Sequence, residues 1–316
     1  MYRLLEPEED KVLARFQNFY PTEFNEKVSS SRLMDKFYRR AILVSGVIEL
    51  IEKSEKPITI VDIAGGRGRI GSMLEKLLEE RGISKSFNYV VIDFSRKELG
   101  KSDWKLKVRG DMSSVPVAHA DVVFMLNSPN AVVGFYSCFL KKYGKPFEKG
   151  LDIKAFEEMR KTEEFKVFML LSHMTSQTDK LNILEATKLL KQDGVLTVGG
   201  FAKGRSAYPI DEMEGVPLKA LLADEFMLSG NVMKHWEDYS GNVLGDQPFF
   251  AAAYTKTGEV GKELVEKCEG DFKCSFKELM KNRRFWETLD ELEKIETEKK
   301  DAAGEMRKAT KKIIKE

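Results

Sequence analysis

The chain has 316 residues, of which 42% are hydrophobic and 33% charged. Its 52 basic and 51 acidic side chains leave a formal net charge of +1, which excludes the strong cationic balance of a dedicated nucleic-acid binder. No apolar run reaches the ~18 residues of a membrane span. The acidic opening MYRLLEPEED, with Pro7, is unlike a signal peptide, so a cytoplasmic protein is expected. Cys138, Cys268 and Cys274 are too sparse for a disulfide framework and match no zinc spacing, so free thiols and no metal are expected.

Residues 1–56 read as a helical segment. Leu33, Phe37, Ala41, Val44, Ile48 and Ile51 recur at three- and four-residue steps, and Lys56-Pro57 ends the pattern. Ser29-Ser30-Ser31 offers a cap. From 57 to 256 strands alternate with helices. Ile58–Ile63 is a β-branched strand, followed by a glycine loop and a helix through Met73, Leu74, Leu77 and Leu78. Tyr89–Ile92, Lys105–Arg109 and Asp121–Leu126 are further strands, the last apolar throughout and so expected to be buried on both faces. Residues 131–178 interrupt the alternation and read as a mostly helical insertion. A helix is expected over Asp179–Lys191, a turn at Asp193-Gly194, a strand over Val195–Phe201 and a helix near Asp211–Ala223. Phe226–Tyr239 and Pro248–Thr255 read as a closing antiparallel pair. This order predicts an α/β fold built on a mostly parallel, doubly wound sheet. Residues 257–316 read as a charged helical extension, solvated on most sides, with basic residues gathered at its end (Arg307, Lys308, Lys311, Lys312, Lys315).

The strongest chemical signal is Asp62-Ile63-Ala64-Gly65-Gly66-Arg67-Gly68-Arg69-Ile70-Gly71, between a strand and a helix. Glycine lets backbone approach a ligand, and the helix start offers unpaired N–H groups. Gly66-x-Gly68-x-x-Gly71 with Asp93 downstream satisfies a dinucleotide fingerprint. The same loop resembles the first motif of the class I, Rossmann-like methyltransferases, with Asp62, Gly66 and Gly68 in place and Ala64 where a glycine is usual. Asp-Ile-Ala-Gly-Gly is similar to the ubiquinone/menaquinone C-methyltransferases. Arg109–Pro116 with Ala120–Val123 looks like the family's third motif and fourth strand. Leu189–Leu196 looks like its following helix, turn and strand.

That resemblance implies S-adenosylmethionine as cofactor. Asp62 would hold the methionine ammonium, with Ala64, Gly66 and Gly68 lining that portion. Asp93 would take the ribose hydroxyls, Phe94 the adenine face, and Asp111 and Met112 the adenine edge. The acceptor is expected at the end of the fourth strand. There Leu126-Asn127-Ser128-Pro129-Asn130 partly matches the Asn/Asp-Pro-Pro-aromatic run of amino-group methyltransferases. Asn127 would position the acceptor. His173 has the pKa range of a general base. A small-molecule acceptor, no membrane contact and a possible homodimer are the expectations; an RNA or protein acceptor and a non-catalytic scaffold are the alternatives.

Overall fold

The computed structural model describes residues 11–12, 15, 32–93, 95–110, 119–126, 135, 139, 142–143, 153–201, 218–222, 226–227 and 248–313. Helices α1 (Arg32–Ser45) and α2 (Val47–Lys53) precede strand β1 (Thr59–Ile63). Then come α3 (Arg69–Glu80), β2 (Asn88–Asp93), α4 (Arg96–Leu99), β3 (Leu106–Arg109) and β4 (Ala120–Leu126). Helices α5 (Ile153–Met159) and α6 (Glu163–Leu189) lead into β5 (Leu190–Phe201), β6 (Leu218–Leu222), β7 (Phe226–Met227) and β8 (Pro248–Lys256). Helices α7 (Lys262–Lys281) and α8 (Arg283–Ile313) close the described chain.

The strands form one sheet in the order β3-β2-β1-β4-β5-β8-β6, with β7 also paired to β8. The β3-β2-β1-β4-β5 pairings are all parallel. Strand β8 runs antiparallel to both β5 and β6. Side-chain alternation splits the core in two. Ile60, Val91, Val122 and Phe124 pack with Phe37, Ile48 and Leu74 on the face covered by α1–α3. Val61, Ile63, Val123 and Met125 pack with Leu171, Met174 and Ile183 of α6 on the other face.

The N-terminal periodicity is matched by α1 and α2, which bury Phe37, Ala41, Ile48 and Ile51. Strand β4 is buried on both faces as its composition requires. Several boundaries differ from the sequence reading. The helix expected from Asp179 begins sixteen residues earlier, at Glu163, where the Thr162 hydroxyl accepts from Phe165 N at 3.2 Å. It therefore runs through the end of the expected insertion. The Asp193-Gly194 turn lies inside β5 rather than before it. Asp193 has φ +61°, and the register to β4 shifts between Ala120 and Val122, which is a bulge.

The helix expected near Asp211–Ala223 is overturned where it is described. Leu218–Leu222 is strand β6, because β8 offers a free ladder that this segment completes. Of the expected strand Phe226–Tyr239, Phe226–Met227 pairs with Phe249 and Pro248; the remainder lies outside the described residues, as do Ser29–Ser31.

The charged extension nonetheless gives one face to the core. Helix α7 buries Val265, Cys268, Phe272, Phe276 and Leu279, and α8 adds Phe285, Leu289 and Leu292 to the same core. Between α7 and α8, Asn282 Oδ1 accepts from Phe285 N, and Asn282 Nδ2 donates to Glu163 Oε2 at 3.2 Å. Arg284 Nε reaches Glu164 Oε1 at 2.8 Å. These bonds tie the start of α8 to the start of α6.

Candidate functional site

Strand β1 has β2 on one side and β4 on the other, so the connections leave in opposite directions at this point. In an open parallel sheet the crevice beyond such a switch, at the strand carboxyl ends, is where a ligand fits. The glycine loop leaves β1 there. Its backbone is held by two bonds to β2: Gly65 N donates to Ile92 O at 3.1 Å, and Gly66 N donates to Asp93 Oδ2 at 2.9 Å. Gly68 N closes the turn onto Gly65 O at 2.8 Å.

The loop alternates into left-handed backbone. Ala64 has φ +55°, Gly66 +55° and Gly68 +75°. At Ala64 an L-residue carries a strain of about 1 kcal/mol that glycine would avoid. Around Gly66 there is open space among the described residues: a Cβ there would meet none of them within 4 Å. Gly68 is the opposite case, because a Cβ would fall 2.4 Å from Trp104 Cδ1. Trp104 also donates from Nε1 to Gly68 O at 2.9 Å. The indole is therefore the floor beneath the loop, and Gly66 is its open side.

Two buried carboxylates flank this backbone. Asp62 is 1% exposed. Because β-strand residues alternate, Asp62 shares a face with Ile60, and Tyr89 lies on the same face of β2. The Tyr89 hydroxyl donates to Asp62 Oδ2. Burial pushes the Asp62 carboxyl up to about 7, reinforced by the nearby Asp93 charge and opposed by the Tyr89 bond. Tyr89 itself is raised well above its ordinary value, first by burial and then by Asp62. Asp93 ends β2. Its Oδ1 accepts from Ser95 N at 2.7 Å while Oδ2 accepts from Gly66 N. Burial raises its pKa, and those two backbone bonds oppose the rise. Each carboxylate oxygen has a second lone pair, so Asp93 retains acceptor capacity toward the crevice. Arg67, inside the loop, is paired with Glu98 of α4 at 2.8 Å.

Strand order β3-β2-β1-β4-β5, a closing antiparallel strand between β5 and β6, and a glycine loop after β1 occur together here. This is the Rossmann-like, mostly parallel sheet with an antiparallel late strand that the sequence motifs lead one to expect. No protein-family model matches the chain, and no curated protein matches it. Solved structures are similar at a distance. NSun6 from Pyrococcus horikoshii, solved with SFG, is 17% identical, covers 73% of this chain and 56% of its own, and has a TM-score of 0.40. A TehB-like SAM-dependent methyltransferase from Corynebacterium glutamicum is 18% identical, with 79% and 98% covered and a TM-score of 0.37. The YcgJ protein from Bacillus subtilis is 9% identical, with 68% and 98% covered and a TM-score of 0.38. Strand order and loop, not these neighbours, carry the fold assignment.

Within this fold, the structure brings together Asp62, Ala64, Gly66, Gly68 and Asp93. Phe94, Asp111, Met112 and Asn127 lie outside the described residues. His173 is exposed on α6, and its hydrogen-bonding neighbour among the described residues is Gln177, at 3.5 Å. No bond among the described residues links His173 to the glycine loop. Sequence reasoning missed Tyr89 and Trp104. The period-2 match of Tyr89 and Asp62 on adjacent parallel strands was a readable signal for the first. For Trp104 the signal was weaker: glycines three residues apart, at 68 and 71, mark a close approach without naming what approaches.

Proposed function

We propose that the chain binds S-adenosylmethionine in the crevice beyond β1 and transfers its methyl group to a small-molecule acceptor. The observation that carries this reading is the pair of buried carboxylates, Asp62 and Asp93, on either side of a glycine loop with open space over Gly66. The fit is chemical. An ammonium suits a buried carboxylate of raised pKa, and a vicinal diol suits Asp93, already oriented by two backbone N–H groups. The bound group supplies an activated methyl on a sulfonium, which needs an aligned nucleophile more than a catalytic side chain.

The chain's own residues then bind and orient. Asp93 accepts hydrogen bonds from two hydroxyls, fixing rotation of the ligand. Ala64 and Gly66 let the ligand lie on backbone. Asp62 pairs with a cationic end, and the Tyr89 hydroxyl holds its carboxylate in place. Residues 57–256 form the catalytic unit in this reading. In this reading Asn127, the residue after β4, positions the acceptor, and His173 is the candidate base.

Calorimetry with S-adenosylhomocysteine, and with NADH in a parallel cell, tests the reading. Micromolar binding of the first and none of the second is expected. Binding of NADH alone, or of neither, overturns it.

A further inference from the structure

On the α3 side of the sheet, away from the strand carboxyl ends, lies a cavity of about 510 Å³. This is within the range of small-ligand sites. Its lining includes Leu78, Ile83, Phe87 and Trp104, with Glu75, Glu79 and Lys85 as its charged groups. The aromatic pair is close, with ring centroids 6.0 Å apart. Glu75 and Glu79 are one helical turn apart, so both side chains stand on the same flank of α3. Both are exposed, and neither is engaged in an ion pair among the described residues. Lys85 Nζ is held by the Glu52 and Ser54 carbonyls at 2.6 and 2.9 Å, so the three charged groups leave the lining with a net negative charge. Helix α3 ends at this cavity, which adds its negative dipole end.

From this geometry we infer that the cavity is a second binding site, taking a small organic cation with an alkylammonium or guanidinium group. Aromatic faces attract such a group through their quadrupole, and the two carboxylates and the helix end supply complementary charge. An anion would meet the wrong sign, and a neutral ligand would leave the carboxylates unused. The site is joined to the glycine loop by contact. Trp104 lines the cavity, donates to Gly68 O, and lies tilted against Tyr89 with centroids 4.4 Å apart. Tyr89 in turn donates to Asp62. A cation that shifts the indole is therefore felt at Gly68.

Agmatine carries both head groups and serves as the probe, with butylurea as its neutral counterpart. The full chain, free of other ligands, is titrated by NMR, so the outcome does not depend on the methyl-transfer reading. Agmatine is expected to shift the Trp104 indole N–H and the Gly68 amide together, saturably. The Trp104→Phe variant assigns the indole signal. The double variant Glu75→Gln/Glu79→Gln alters only exposed side chains, and affinity should fall about tenfold in it. Failure to saturate, equal binding by butylurea, or unchanged affinity in the double variant overturns the site. Binding that leaves Gly68 unmoved overturns its link to the loop.

Discussion

Asp62 and Asp93 have different tasks because their surroundings differ. Asp93 is held by two backbone N–H groups, so its removal loosens the loop as well as deleting a ligand contact. Asp93→Ala is expected to weaken S-adenosylhomocysteine binding by about 2 kcal/mol or more, since bonds to charged groups contribute about 1.5–3 each. Calorimetry on the variant checks this; unchanged affinity would remove Asp93 from the site. Asp62 is instead governed by burial, which lifts its carboxyl from 3.8 to about 7. The folded chain thus holds this proton more tightly than the unfolded chain. Its contribution to stability is fully present below pH 3.8 and is lost as pH rises through about 7. Urea midpoints of the ligand-free protein should fall across that window, and fall less in Asp62→Asn. A cationic ligand end against Asp62 reverses the shift, so binding at pH 7 should release protons. Titrations in buffers of different ionisation enthalpy would detect the release.

At the scale of the element, the turn from β1 into α3 has a ligand side and a packed side. The N-cap of α3 is Gly68 at φ +75°, pressed onto Trp104. Gly68→Ala meets both the left-handed penalty and an overpacked indole, and should destabilise by about 2–4 kcal/mol. Gly66→Ala meets the left-handed penalty alone, about 1–2 kcal/mol, while its Cβ enters the open space. The second variant should therefore fold and lose ligand affinity, and the first should lose stability foremost. Thermal melts and calorimetry on the pair separate the two effects. The motif spelled out both glycines, but their difference depends on Trp104, which is distant in sequence and carries no motif.

Across the whole molecule, the sheet is covered on both faces, and the last two helices supply much of one cover. Phe272, Phe276, Leu279, Phe285 and Leu289 are all buried there. Each such side chain contributes about 1.5–3 kcal/mol on burial, so together they rival the entire net stability of a domain, about 5–15 kcal/mol. A chain ending at residue 256 should expose Leu171 and Met174 of α6, and should bind a hydrophobic dye without a cooperative melt. A cooperative melt near that of the full chain would show the extension to be dispensable.

The sequence alone was enough to determine the parallel strands β1, β2 and β4, helix α3, the glycine loop and the two acids beside it. Those features are written in local terms: β-branched runs, 3.6-residue periodicity, and glycines where backbone must turn. Tertiary structure alone decided that Leu218–Leu222 is a strand, since a short mixed segment takes the form its neighbour's free ladder offers. It also decided that α7 is core. The Lys and Glu residues on its outer side dominate the composition, while Phe272 and Phe276 are buried only because α6 lies across them. The Tyr89–Asp62 bond and the indole beneath Gly68 belong to the same class. They join residues 27 and 36 positions apart, a proximity set by strand register and helix packing.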